Sequence, residues 1–83
     1  MAAKLLTPEE SAREILKIFI ESNRRSGGFL QRTNLDTKWQ KRGLSVTEFW
    51  QGIGYAESQD WIEVQNNKMT FCLTQKGFTE AKL

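Results

Sequence analysis

Apolar residues recur at three- and four-residue intervals in the first quarter of the chain, which predicts an amphipathic helix. The residues on its apolar face are Ala12, Ile15, Leu16, Phe19 and Ile20. Thr7 suits the N-cap, Pro8 suits the first helical position, and Glu10 completes a capping box. We expect the helix to end within residues 24–28, where two arginines meet the negative end of the helix dipole and glycine can adopt a left-handed conformation.

The next segment predicts a brief strand followed by a short helix. Residues 29–34 contain paired apolar positions after two glycines and fit an extended conformation. Leu35 and Trp39 are four positions apart, which places them on one helical face, and we expect this helix to span residues 35–42.

A third helix is predicted from Ser45, which suits the N-cap and forms a second capping box with Glu48. The helix is expected to run to Ser58 because apolar residues keep a helical period: Val46, Phe49, Trp50, Ile53 and Ala56. Gly52 and Gly54 each weaken a helix by about 1 kcal/mol relative to alanine, so tertiary packing must hold it.

The last third of the chain alternates apolar and polar residues, which predicts an antiparallel hairpin. Its two runs are residues 61–65 and 69–74, and the Asn-Asn-Lys sequence at 66–68 is a turn signal because asparagine tolerates positive φ. Residues 79–83 are expected to add a short helical turn. The predicted core is Ile15, Leu16, Phe19, Leu35, Trp39, Phe49, Ile53, Ile62, Val64, Phe71 and Leu73.

The chain is predicted to form one domain of the α+β class over residues 1–83, with residues 1–6 as a flexible tail. It contains no His and a single cysteine, Cys72, which excludes His-based catalysis, Cys/His zinc sites and an internal disulfide. We expect no cofactor, no metal and no enzymatic activity. The longest aliphatic or aromatic run is residues 18–20, so no membrane span is expected, and the expected location is the cytoplasm.

The end of the hairpin carries a recognisable motif. Residues 73–77 read Leu-Thr-Gln-Lys-Gly, which matches a Leu-Thr-x-x-Gly corner, and residues 60–63 read Asp-Trp-Ile-Glu at the start of the first strand. With the order of elements over residues 8–80, the chain resembles the winged helix-turn-helix superfamily. This resemblance implies three helices plus a C-terminal hairpin wing, and a small DNA-binding protein of transcription-regulator type.

The resemblance also implies contact residues, with the first helix of the motif on phosphates and the third helix in the major groove. The implied base contacts are Ser45, Thr47, Glu48 and Gln51, and the implied phosphate contacts are Lys38, Lys41, Arg42, Arg32 and Lys68. Charge is unevenly divided: residues 22–45 hold six cations and one carboxylate, whereas residues 46–67 hold four carboxylates and no cation. The expected partner is double-stranded DNA. The basic segment is also compatible with a solvated face or with an acidic protein partner.

A protein partner is the alternative that this acidic third helix leaves open. Phe49 and Trp50 are adjacent, so they cannot both point into one core, and Trp50 is expected at the core boundary or in an interface. In this interpretation the chain is a winged-helix protein-interaction module whose contact face includes Trp50 and Glu57. A second copy of the chain is one possible partner. Cys72 is expected to be a structural or semi-exposed thiol.

Overall fold

A computed structural model describes residues 6–82 and confirms the α+β class, with four helices and one three-stranded antiparallel sheet in that range. Of the predicted tail, residues 1–5 lie outside the described part of the chain. This arrangement is compatible with a winged helix. The elements in chain order are α1 (Pro8–Glu21), β1 (Phe29–Gln31), α2 (Arg32–Lys41), α3 (Val46–Ser58), β2 (Ile62–Gln65), β3 (Thr70–Leu73) and α4 (Gln75–Ala81).

The sheet has the strand order β1-β3-β2, so the predicted hairpin is joined by the weak first strand. Phe71 of β3 pairs with Leu30 of β1 on one side and with Val64 of β2 on the other. The side chains of these three paired residues face the helices. Phe29 and Cys72 occupy alternate positions along their strands, so their side chains lie on the outer face of the sheet. The hairpin turn has positive φ at all three predicted turn residues, with values of 51, 53 and 69° for residues 66, 67 and 68.

Helix α1 begins as predicted but ends earlier than expected. Its capping box forms in both directions, with Thr7 accepting from the Glu10 N–H and Glu10 accepting from the Thr7 N–H. At the other end, Asn23 rather than a glycine takes the left-handed conformation, at φ 60°. The Arg24 N–H then bonds to the Phe19 carbonyl at 2.9 Å, and the helix ends at Glu21, six residues before Gly27.

Helix α2 begins at Arg32, three residues before the predicted start. Its N-cap, Gln31, makes no side-chain capping bond, so the local sequence carries no signal for this boundary. Instead, the Arg32 N–H donates to the Met69 carbonyl at 2.7 Å, and this contact with the hairpin holds the point where β1 passes directly into α2.

Helix α3 has the predicted bounds and packs mainly against α1. Gly52 lies where the two helices come closest, because a Cβ atom at this position would lie 2.8 Å from Ser11. Trp39 of α2 joins the same core: its indole N–H donates to the Ser45 carbonyl at 2.9 Å, and its ring lies 5.7 Å from that of Phe49.

The corner after β3 leads into α4, which is longer than the short turn expected at residues 79–83. The Thr74 hydroxyl caps α4 by accepting from the Gly77 N–H at 2.9 Å, and it also reaches the Trp61 carbonyl. A side chain at Gly77 would collide with that carbonyl. The Thr and Gly of the corner therefore tie the start of β2 to the start of α4.

Ten of the eleven predicted core residues are buried, and Val64 is half-buried. One assignment on α1 is wrong: Ile20 is 36% exposed, whereas Ile18 is fully buried. Ile18 is buried because α2, α3 and α4 all contact α1, so the buried arc of α1 is wider than one amphipathic stripe; Ile20 lies outside this arc. Leu30 and Trp61 are also buried, and neither was in the predicted core.

Candidate nucleic-acid interface

Helix α3 presents an uncharged outer face near its N-terminus. Its inner positions pack into the core, so Thr47 and Gln51, four positions apart, are both exposed on the opposite side. Ser45 is also exposed, with its hydroxyl engaged in the capping box. These three predicted base-contact residues therefore lie at the surface and share short hydrogen-bonding side chains.

Glu48, the fourth predicted base contact, points inward instead. Its side chain is buried, with one oxygen accepting from the Leu6 N–H at 2.6 Å and the other from the Ser45 N–H at 3.2 Å and hydroxyl at 3.0 Å. The bond from the Leu6 backbone, followed by that from Ser45, lowers the pKa of Glu48. Both oxygens of the carboxylate are thus occupied by hydrogen bonds from Leu6 and Ser45. Glu48 is therefore removed from the predicted base contacts.

Trp50 occupies the edge between α3 and the sheet, at the core boundary as expected. It is half-buried, and its ring packs edge-to-face at 5.0 Å from Phe49 and 6.4 Å from Phe71. These two contacts fix the ring because both phenylalanines are fully enclosed in the core.

Two cationic side chains from separate segments meet on this ring. The Arg32 guanidinium lies 5.3 Å from the Trp50 ring centroid, and the Lys68 ammonium lies 5.9 Å from it. Arg32 begins α2 and Lys68 is in the hairpin turn, so the fold brings together residues 36 positions apart. We call Arg32, Trp50 and Lys68 the Trp50 cluster. Its cations are oriented at the edge of α3 by interactions with an aromatic face.

A groove extends from the Trp50 cluster between α3 and the hairpin. Its lining residues are Trp50, Ile53, Gly54, Glu57, Val64 and Lys68. The floor is largely apolar, with a cation at one side and a carboxylate from α3 at another. Trp50 and Glu57, which sequence analysis assigned to a protein interface, thus border the same concavity as a predicted phosphate contact.

The remaining predicted phosphate contacts lie on the α1 side of α2. The Arg42 guanidinium is ion-paired with Glu14 at 3.2 Å and with Glu21 at 2.7 Å. Lys38 and Lys41 border the same surface hollow as Glu21 and Arg42. The fold therefore brings Arg32 and Lys68 to α3, while these three cations gather next to carboxylates of α1.

No cluster of metal-ligating side chains occurs among residues 6–82. Within the same residues, no helix has the length and apolar character that crossing a membrane requires. Cys72 is half-buried and unpaired with sulfur, and its pKa is raised first by burial and then by the nearby charge of Glu63. A raised pKa keeps the thiol protonated and lowers its nucleophilicity.

Comparison of the chain with family models, with curated proteins and with solved structures found no match in any of the three. Its function is therefore argued from its own residues. Arg32, Trp50 and Lys68 were each predicted as contact residues. The sequence does not indicate that Arg32 and Lys68 both lie on Trp50, because the three residues are distant along the chain and no short motif links them.

Proposed function

We propose that the chain is a winged helix-turn-helix domain that binds double-stranded DNA as a regulator of transcription. In this proposal α2 and α3 are the helix-turn-helix, α3 enters the major groove, and the β2–β3 hairpin is the wing. The element order, the strand order β1-β3-β2 and the Thr74–Gly77 corner support the fold assignment.

The observation that carries the DNA proposal is the position of the Trp50 cluster beside the uncharged face of α3. Phosphates supply most of the affinity in DNA complexes, whereas base edges supply the specificity. Arg32 and Lys68 are assigned to phosphates, because a cation resting on an aromatic face keeps donors free for an anion. Thr47 and Gln51 are assigned to base edges, because their polar side chains can donate hydrogen bonds to bases and accept hydrogen bonds from them.

The cations near α1 have a smaller role in this proposal. Arg42 is already ion-paired with Glu14 and Glu21, so binding a phosphate would require breaking those ion pairs. Lys38 and Lys41 border the same surface hollow as Glu21 and contribute at most a weak, nondirectional attraction. They are therefore matched control cations for the Trp50 cluster.

The test is a salt series of duplex-DNA affinities for the wild type and four single variants. Arg32→Ala and Lys68→Ala should each reduce the slope of log affinity against log salt by about 0.9, because each removes one phosphate contact. Lys38→Ala and Lys41→Ala should change the slope by less. Failure of the wild type to bind any duplex at low salt would disprove the proposal, and unchanged slopes in the first two variants would disprove the assignment of their residues.

Base contacts require a different measurement, made on a library of duplex sequences. Thr47→Ala and Gln51→Ala should alter the ranking of preferred sequences while leaving the salt slope unchanged, because base contacts carry sequence information and release few counterions. A uniform loss across all sequences would instead place these residues on phosphates.

A protein-interaction module is the second candidate, and one observation favours it. The groove beside Trp50 has an apolar floor, and Val46 on the same helix is 61% exposed. Substitution of Glu57 distinguishes the two candidates, because they predict opposite changes in binding affinity. Glu57→Gln should strengthen binding to DNA by removing a carboxylate that repels phosphates, whereas it should weaken binding to a basic protein partner.

A further inference from the structure

Gly54 differs from every other glycine in the described chain. The others have an internal reason to be glycine: two have positive φ, and three would place a Cβ atom less than 3 Å from a neighbouring atom, namely Gly27 and Gly43, then Gly28, Gly52 and Gly77. At Gly54 the φ angle is not positive, and a Cβ atom would have no described neighbour within 4 Å. Glycine at this helical position destabilises α3 relative to alanine with no packing reason in return.

Gly54 lines the groove that extends from the Trp50 cluster. Gly54 lies one turn after Trp50, about 6 Å further along the helix axis, and on the same groove-facing side. At one end of this path is the Trp50 cluster with its two cations. Glu57, exposed one turn beyond Gly54, repels phosphates and therefore limits the path at its other end.

We infer that Gly54 is a contact point for the sugar-phosphate backbone of the bound duplex. This inference rests on the proposed function and adds a specific contact to it. A strand whose phosphates contact Arg32 and Lys68 continues along the groove, and the missing side chain at Gly54 lets it approach the backbone of α3. Glycine commonly occurs where a ligand must approach the main chain closely. The two cations favour this occupant over an apolar peptide.

The experiment compares Gly54→Ala and Gly54→Leu with the wild type in thermal unfolding and in duplex-DNA binding. Both substitutions introduce better helix formers into open space, so the Tm should rise by about 4–8 °C. DNA affinity should fall by about fivefold for alanine, because the added methyl group keeps the strand from approaching α3, and further for leucine. A variant that is more stable but binds less tightly cannot be explained by misfolding.

Thr79→Ala provides the matched control. Thr79 is exposed on α4, away from the groove, and its replacement also raises helix propensity. This variant should gain stability and keep the wild-type DNA affinity. If the wild type binds DNA and both Gly54 variants bind equally well, the inference is overturned while the proposed function stands. If the wild type binds no duplex, both are overturned.

Discussion

The backbone N–H of Leu6 donates a 2.6 Å hydrogen bond to the Glu48 carboxylate, across a separation of 42 residues. Glu48 at the same time completes the capping box with Ser45, so one side chain fixes the start of α3 and the approach to α1. Leu6 also packs against the core. This bond and this packing hold Leu6, the last residue of the predicted tail, against the folded domain.

This arrangement predicts a specific loss of stability in acid. Because folding lowers the pKa of Glu48, the folded chain binds fewer protons than the unfolded chain, and stability must decrease as pH falls. The contribution is complete above the ordinary value of 4.5 and disappears as pH falls through the lower pKa of the folded state. Thermal unfolding of wild type and Glu48→Gln from neutral to acidic pH tests this. The variant should be less stable near neutrality, and the two curves should converge in acid; parallel curves would contradict the prediction.

Phe71 is expected to be among the most costly positions to truncate. It is fully buried, and the centroid of its ring lies 6.1 Å from that of Phe49 and 6.4 Å from that of Trp50. Phe71→Ala should lower the free energy of unfolding by about 3–5 kcal/mol through lost burial and a cavity. Phe29→Ala is the control, because Phe29 is 55% exposed on a neighbouring strand and should change stability by about 0.5 kcal/mol or less. Denaturant unfolding measures both values, and equal losses would refute the assigned strand register.

The hairpin turn should accept glycine and reject a β-branched residue. Asn67 has a φ of 53°, a conformation that glycine adopts without strain. Asn67→Gly should therefore leave stability unchanged or raise it slightly, whereas Asn67→Val should cost about 1–2 kcal/mol. Thermal unfolding of the two variants checks the sign of each effect. A loss of more than about 2 kcal/mol for glycine would reveal contacts of the asparagine side chain that the structure does not contain.

Gly52→Ala should destabilise the fold although it improves helix propensity. The added methyl group would lie 2.8 Å from Ser11 and 2.9 Å from Ile15, in a tightly packed contact between α1 and α3. Overpacking of this kind costs about 1–3 kcal/mol, and because the clash includes the Ser11 backbone we expect a cost above the gain of about 1 kcal/mol from replacing a helical glycine. Chemical denaturation should show a lower midpoint than for wild type. A stability equal to or above wild type would mean that the two helices separate easily.

Features that depend on neighbouring residues could be predicted from the sequence. Both capping boxes, the bounds of α3 and the positive-φ turn at residues 66–68 follow from side chains three or four positions apart, or from the conformational preference of asparagine. The alternation in the hairpin likewise identified the inner face of the sheet, including Phe71 and Leu73. Much of the core was therefore predictable from periodicity alone.

The misplaced boundaries have long-range or competing local causes. The end of α1 was placed at two glycines, but Asn23 formed the terminating turn first, since asparagine also tolerates the left-handed conformation. The start of α2 depends on a hydrogen bond from Arg32 to Met69, far along the chain. Glu48 has acidic character that suggested a solvent-facing role, yet its bond to Leu6 turns it inward.

The order of the elements and most of the buried face follow from the sequence, because helical and strand periods are properties of adjacent residues. Which charges are available at α3 depends instead on how the elements pack. Six cations lie within residues 22–45. Packing of α2 against α1 pairs Arg42 with carboxylates, while the sheet and hairpin bring Arg32 and Lys68 to Trp50. Charge counts along a chain carry no information about these partners, because an ion pair depends on distance in space and not on separation in sequence.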